Sequence, residues 1–424
     1  MRWAWLLLLV SANAGWGQTR LTLDEAEQIA LKSNPQISAQ VFTALVAGEI
    51  TREVRSALFP IVAGSLTPVG GDDGTRIGAG TLTAGSIYNR LGSGVTASQL
   101  IWDFGRTGNL IESTRLRATA QTQNTQVVRS LVRLQVDRAY FGALRAQSVL
   151  QVAEQTVQAR QLVVDQVTAL AQSNLKSTLD VRFAQVNLSE SKLLLAQAQN
   201  DVRSAFAELA TAMGLSDAMQ TWALAEATIA TAPETDQALL VQEALKNRPD
   251  LNSVRLEADA ARKLIAAERG LWFPTIAAVG TVGVLPWHSD KITGNYSGAG
   301  VNVNIPVFNG HAFSARRAQA EYRASAVDQN VRDLANRVTR DVTVAWLATQ
   351  TAWQRVGLTA ELLDRAAQAL ELAQARYDLG LGSIVELSQA QLAKTNAEIQ
   401  NAAAKYDFQS QSAVLKYQTG ALVP

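Results

Sequence analysis

The chain has 424 residues, with 38 Lys and Arg against 37 Asp and Glu, a net charge of +1, two His and no Cys. This balance excludes a disulfide framework, thiolate metal centres and a cysteine nucleophile, leaves few imidazoles for a metal site or a Ser-His-Asp triad, and gives no basic footprint for nucleic acid. Charged residues are only 18%, below the roughly 25% of ordinary soluble domains, so Gln, Asn, Ser and Thr carry the polarity. Composition points away from an enzyme.

Residues 1–17 read as an export signal. Arg2 supplies positive charge, Trp3 to Val10 is an apolar run too short to span a bilayer, and Ala12-Asn13-Ala14 or Gly15-Trp16-Gly17 offers the cleavage site. Beyond it, Gln, Arg, Asp or Glu cuts every apolar run, and no transmembrane helix is expected.

The remainder is a duplication. Ala30-Leu31-Lys32-Ser33-Asn34-Pro35 is echoed by Ala244-Leu245-Lys246-Asn247-Arg248-Pro249, and Leu58-Phe59-Pro60 by Trp272-Phe273-Pro274. Trp102-Asp103-Phe104-Gly105 corresponds to Pro306-Val307-Phe308-Asn309-Gly310 with one insertion. Tyr140 answers Trp346, Ser177 to Asp180 answers Ser383 to Glu386, and Gly214 answers Gly420. The register slips between Pro60 and Phe104. A first repeat over 18–214, a linker over 215–240 and a second repeat over 241–424 follow.

Within each repeat a helix after Pro35 or Pro249 leads into strand-like segments. Ile61 to Val69 and Val95 to Trp102 belong to the first, Thr275 to Leu285 and the alternating Val301, Val303 and Ile305 to the second. Gly70-Gly71-Asp72-Asp73-Gly74 and Pro286-Trp287-His288-Ser289-Asp290 read as loop tips. The stretches 106–213 and 311–420 lack Pro, are almost free of Gly, and are rich in helix formers. Each folds back once, at Asn174 or Gly380, residues that tolerate the left-handed turn ending a helix. Capping boxes Ser177–Asp180 and Ser383–Glu386 restart the chain. The outward arm of each hairpin reaches about 100 Å at 1.5 Å per residue. Leu363, Ala366, Leu370, Ala373 and Tyr377 form a heptad seam, continued by Ala390, Ala393, Ala397 and Ala404.

The strands have about the length of tilted membrane crossings, and four cannot close a barrel, whose smallest form has about eight. Unpaired edges are costly in lipid, so several copies must contribute; two, three and four all satisfy the arithmetic. The alternative is a secreted coiled-coil or adhesion stalk capped by water-soluble hairpins, without a pore. A membrane-bridging adaptor would need a lipoyl-like core, which the sequence lacks.

The order of Leu21-Thr22-Leu23-Asp24-Glu25-Ala26, Asn34-Pro35, Leu58-Phe59-Pro60, Gln99 to Gly105, Arg248-Pro249-Asp250-Leu251, Ile305-Pro306-Val307-Phe308, and Arg376-Tyr377 through Gly380 to Gln389 resembles the TolC family of outer-membrane efflux proteins over the whole chain after the signal. The resemblance implies an α+β membrane protein. Long antiparallel helical hairpins would form a periplasmic α-barrel, and four strands per protomer a trimeric twelve-stranded outer-membrane β-barrel. It implies a homotrimer in outer-membrane lipid that docks to a periplasmic adaptor and an inner-membrane transporter. Its role would be the passive exit duct of tripartite efflux or type I secretion, with no catalytic residue, cofactor or metal. The missing lipidation cysteine places the chain nearer the non-lipidated branch. Matching by motif puts the periplasmic constriction at Tyr377, Glu386, Gln389 and Asp180, and adaptor contacts at Asn174, Lys176, Ser177, Gly380, Gly382 and Ser383. Gln389 stands where an acid is usual, and Gly382 where a basic residue latches the closed state. Helix capping is a second role open to Glu386 and Asp180.

Overall fold

The computed structural model describes residues 20–72, 75–79, 82–216, 222–226 and 236–422, without the side chains of 73–87. The expected signal at 1–17 lies outside the described residues, as does most of 217–235. Thr22 opens α1 (Leu23–Ser33) with a reciprocal capping box to Glu25. Asn34 is extended ahead of proline, as sterics require, and α2 (Pro35–Arg55) follows. Then come β1 (Ile61–Val69), β2 (Thr75–Ala79), β3 (Leu82–Ile87), β4 (Arg90–Trp102), α3 (Arg106–Gln172) and α4 (Thr178–Ala212). The second repeat supplies α5 (Gln237–Asn247), α6 (Pro249–Arg269), β5 (Thr275–His288), β6 (Asn295–Asn304), α7 (Ala312–Asp378) and α8 (Ile384–Thr419). Its first helix therefore starts inside the stretch expected as linker.

Packing does not follow the repeats. The chain forms two compact units, one from Met1–Ser38, Val128–Arg248 and Val338–Pro424, the other from Ala39–Val127 and Pro249–Arg337. Each draws on both halves of the sequence.

The hairpin arms have 67 and 35 residues, then 67 and 36. Asn174, Gly214, Gly380 and Gly420 all have positive φ. At each, the next residue's N–H reaches the carbonyl five residues back, as in Leu175 to Leu170 and Leu381 to Arg376, the Schellman closure. Tyr140, Phe408, Leu209 and Met213 are fully buried. The Tyr140 hydroxyl lies 2.8 Å from the Leu21 carbonyl and 2.7 Å from that of Ala225, tying down the chain on either side of the helices. The expected seam on α7 is buried or half-buried throughout. On α8 one position needs correction. Ala393 is exposed, and the seam passes through Leu387, Lys394, Ala397, Asn401, Ala404 and Phe408, because the helix keeps the phase set by Ile384.

A buried carboxyl in the first unit makes stability pH-dependent. Asp137 is 4% exposed, and burial, followed by the neighbouring carboxylate of Glu27, pushes its pKa up to about 7 from 3.8. Arg133 pairs with Glu27 at 3.2 Å, and the charges of Lys416 and Arg133 only partly offset the rise at Asp137. A folded value above the unfolded one stabilises at low pH, and that contribution is lost as pH rises through about 7. The thermal midpoint of the wild-type protein should therefore fall between about pH 5 and pH 8, and Asp137→Asn, neutral throughout, should flatten that slope. Parallel slopes would contradict this assignment.

In the second unit, β1, β4, β5 and β6 form one antiparallel sheet in that order, and β2 pairs with β3 separately. The expectation of four strands therefore holds for the main sheet alone; the chain has a further hairpin. That hairpin lies between β1 and β4, whereas β5 and β6 are joined by the short turn 289–294, which accounts for the register slip. Two boundaries are corrected. β4 begins at Arg90 rather than Val95, and β5 runs through Pro286-Trp287-His288, expected as a loop tip, because Trp287 and His288 pair with Leu91 and Arg90 beyond a bulge that takes up Pro286. The repeat alignment changes as well. Asp103 accepts the Thr107 N–H at 2.7 Å and Asn309 that of Phe313 at 3.4 Å. Two positive-φ residues follow each, Phe104 and Gly105 in one repeat, Gly310 and His311 in the other. Asp103 thus matches Asn309, Trp102 matches Phe308, and no insertion is needed.

Candidate functional site: an amphipathic sheet and two helical tips

The pairing register assigns every strand residue to a face, since directly opposed residues project to the same side. One row runs Ser65, Gly94, Gly283, Tyr296; the next same-side row runs Ala63, Thr96, Thr281, Gly298. Further along lie Ser98, Asn302 and Asn304, and the Thr96 and Thr281 hydroxyls are 3.4 Å apart. Away from the helices this face is mostly hydroxyl-bearing residues and glycine, and toward the helices Ile61, Val279, Leu100 and Ala277 share it with Ser98, Asn302 and Asn304. The opposite face carries Val62, Leu66, Val95, Val282, Val284, Val301 and Val303, all of them exposed in the protomer. An uncovered sheet with one apolar and one hydroxyl-lined face is the wall of a water-filled barrel in lipid. Among the described residues, no helix is long and apolar enough to cross a membrane.

Aromatic residues edge the apolar face where the sheet meets the helices. A bulge between Leu100 and Trp102 sets Ile101 and Trp102 together opposite Ile276, which turns Trp102 to the apolar side. Trp102 meets Phe104 edge-on, with ring centroids 6.1 Å apart, and Phe104 stacks on Phe273 at 5.2 Å. Trp102, Phe104 and Phe273 are each about half-exposed. Such a border matches the aromatic girdle of membrane barrels. The residues of the Leu58-Phe59-Pro60 and Trp272-Phe273-Pro274 echoes thus sit at this border.

At the other sequence-predicted site the two hairpin tips meet. Tyr377 packs with Val167, Ile384 and Leu387, and the Lys176 ammonium lies over its ring, 4.2 Å from the centroid. The Tyr377 hydroxyl is buried without a hydrogen-bond partner among the described residues. Burial, then the charges of Asp180 and Asp378, push its pKa up. Asn187 donates to Ser388 at 2.7 Å, joining the two return helices. Asp180 completes the box with Ser177 as expected. Glu386 does not complete its own. Ser383 accepts the Glu386 N–H at 3.1 Å, but the carboxylate turns to Arg376 at 3.1 Å. Gly382 packs on the end of α7, where a Cβ would come within 3.2 Å of Arg376 and Tyr377. Lys176 is the counterpart of Gly382 in the first repeat. Gln389 is exposed and joins none of these contacts. Arg376 and the Asn187–Ser388 pair were not legible as site residues; the only signal for Arg376 was its position beside Tyr377.

Comparison with known proteins bears directly on this arrangement. The family model described as outer membrane efflux protein matches residues 27–215 and 240–421. The chain belongs to the outer membrane efflux protein family. The outer membrane efflux protein BepC of Brucella suis biovar 1 is 23% identical over 418 residues, covering 97% of this chain and 89% of BepC. The outer membrane protein TolC of Vibrio cholerae is 24% identical, covering 95% of this chain and 92% of TolC. Among solved structures, CusC superposes with a TM-score of 0.80 at 19% identity, covering 97% and 95% of the two chains. The outer-membrane channel OprN gives 0.81 at 18%, covering 95% and 91%. The α+β channel fold expected from the sequence is the one observed. The protein is an outer-membrane efflux channel with its helical part in the periplasm, and the poreless stalk is set aside.

Proposed function

We propose that three copies close the sheet into a twelve-stranded barrel and act as the passive exit duct of a tripartite efflux or type I secretion assembly. The observation that carries this reading is the four-stranded sheet that, among the described residues, ends in two free edges, β1 and β6, with an uncovered apolar face. In lipid each unpaired backbone group costs several kcal/mol, and pairing β1 of one copy with β6 of the next removes every edge. Membership of the outer membrane efflux protein family supports an export role, and the partners of this reading are a periplasmic adaptor and an inner-membrane transporter.

The tips form the closed end. Threefold symmetry gathers three copies of Glu386 and Asp180 around one axis, where like charges repel and cations concentrate. The cation–π contact between Lys176 and Tyr377 holds the two hairpins of a protomer together, and the unpartnered Tyr377 hydroxyl finds its acceptor on a neighbouring copy. Asn174, Ser177, Gly380, Gly382 and Ser383 present the adaptor surface beside Lys176; Gln389 lines the approach without charge. Planar-bilayer recording of the detergent-extracted oligomer tests this. Wild type should conduct weakly, and Lys176→Ala, Tyr377→Phe and Glu386→Gln should each raise single-channel conductance, the last also lowering cation preference. Conductance equal to wild type in all three would reduce these residues to helix caps and packing.

A further inference from the structure

The polar face of the sheet has a cavity of about 460 Å³ at the end away from the helices, within the size range of small-molecule sites. Its floor exists because side chains are missing. Gly92, Gly94 and Gly283 lie on this face, and the Tyr296 ring, reaching back from β6, covers the latter two, where any Cβ would overlap it. Ser65 and Thr67 of β1 form one wall, and Leu285 and Ile292 form the other. Ile292 gets there because the turn 289–294 folds over the sheet, held by Leu285 N–H donating to Gly294 at 2.7 Å. Arg90 closes the end. It is the only charged side chain in β1, β4, β5 and β6, and it stands two residues from Gly92 on an unshifted stretch of the β1 ladder, hence on the same face. His288, opposite Arg90, has its Nδ1 2.9 Å from the Ser289 carbonyl. Asp72, Asp290 and Lys291 lie in the turns beyond the strand ends, and no carboxylate lines the cavity among the described residues.

We propose that this cavity is an exit-side binding site for small organic anions, with the Arg90 guanidinium taking the carboxylate or sulfonate and Tyr296, Leu285 and Ile292 taking the apolar body. This rests on the duct reading, which makes the polar face the pore wall. Guanidinium suits such groups because it donates two parallel hydrogen bonds to one oxyanion, and the Ser65 and Thr67 hydroxyls supply further donors. A weak site at the mouth would hold an anionic solute briefly on its way out.

The test is single-channel recording with benzenesulfonate added on the barrel side, and benzylammonium as the cationic counterpart. Wild type should show brief interruptions with benzenesulfonate and none with benzylammonium. The half-blocking concentration should rise about tenfold in Arg90→Gln, the size of one charge-assisted contact, and much less in Arg90→Lys. Open conductance in the variants shows that the barrel has assembled. Equal block of wild type and Arg90→Gln, block by both probes alike, or no block of a conducting wild type overturns the anion site and leaves the duct reading standing. A wild type that never conducts overturns the duct reading itself.

Discussion

Val282→Lys should prevent stable insertion, whereas Thr281→Lys, one residue away, should leave the channel intact. Val282 lies near the middle of β5 on the face with Val95, Val284 and Val301, and it is 60% exposed in the protomer. A lysine near the bilayer midplane costs about 2–4 kcal/mol on a lipid-facing strand position, and an oligomer incurs that cost once per copy. Thr281 looks into the hydroxyl-lined face beside Thr96, where a lysine stays hydrated and the change should stay within about 0.5 kcal/mol. The yield of heat-modifiable oligomer in the outer-membrane fraction measures both. Equal tolerance of the two substitutions would mean that neither face meets lipid.

Gly214→Ala should cost about 3 kcal/mol or more, against about 1 kcal/mol for Gly420→Ala, although the two glycines hold duplicate positions. Both have left-handed φ, +76° and +79°, which a Cβ penalises by about 1–2 kcal/mol. The difference lies in the surroundings. A Cβ on Gly214 would come within 2.7 Å of the Asn34 Cα and 2.9 Å of its nitrogen, whereas at Gly420 the nearest atom is Arg248 N at 3.4 Å. Backbone cannot swing aside as a flexible side chain does. Asn34 also has its own duties, donating to the Ala212 carbonyl at 3.1 Å and accepting the Gln36 N–H at 2.9 Å, so moving it breaks two caps. Chemical denaturation in detergent, read by circular dichroism, should separate the two variants. Equal losses would mean that left-handed φ alone sets the cost.

The punctuation of this fold was legible in the sequence because it depends on local sterics. Asn34-Pro35 and Arg248-Pro249 end helices through the restriction on the residue before proline, and Asn174, Gly214, Gly380 and Gly420 end them through left-handed φ. The period-two alternation of Val301 and Val303 with Asn302 likewise survived into the sheet. What stayed hidden depended on pairing between distant segments. The extra β2–β3 hairpin is short and shows little alternation, so nothing in the sequence marked it as a strand pair. Pro286 read as a loop, yet β5 carries it through a bulge. Ala393 looked equivalent to its neighbours because alanine fits a seam and a surface alike, and only the phase of α8 decides. At the tips, Glu386 had two partners within reach. A capping pattern cannot foresee that Arg376, three-dimensionally adjacent across the turn, draws the carboxylate away from its own cap.

Because the chain has no native cysteine, the division of the sheet into a lipid face and a water face can be read one residue at a time. Single cysteines from Ala278 to Val284 along β5, placed in the membrane-embedded oligomer, would be treated with a charged, membrane-impermeant thiol reagent. Labelling should alternate, with Val279 and Thr281 modified and Ala278, Gly280, Val282 and Val284 protected, Gly283 being left as glycine because Tyr296 fills the space of a Cβ there. Uniform labelling along the strand would contradict the account, because it would put water on both faces of the sheet.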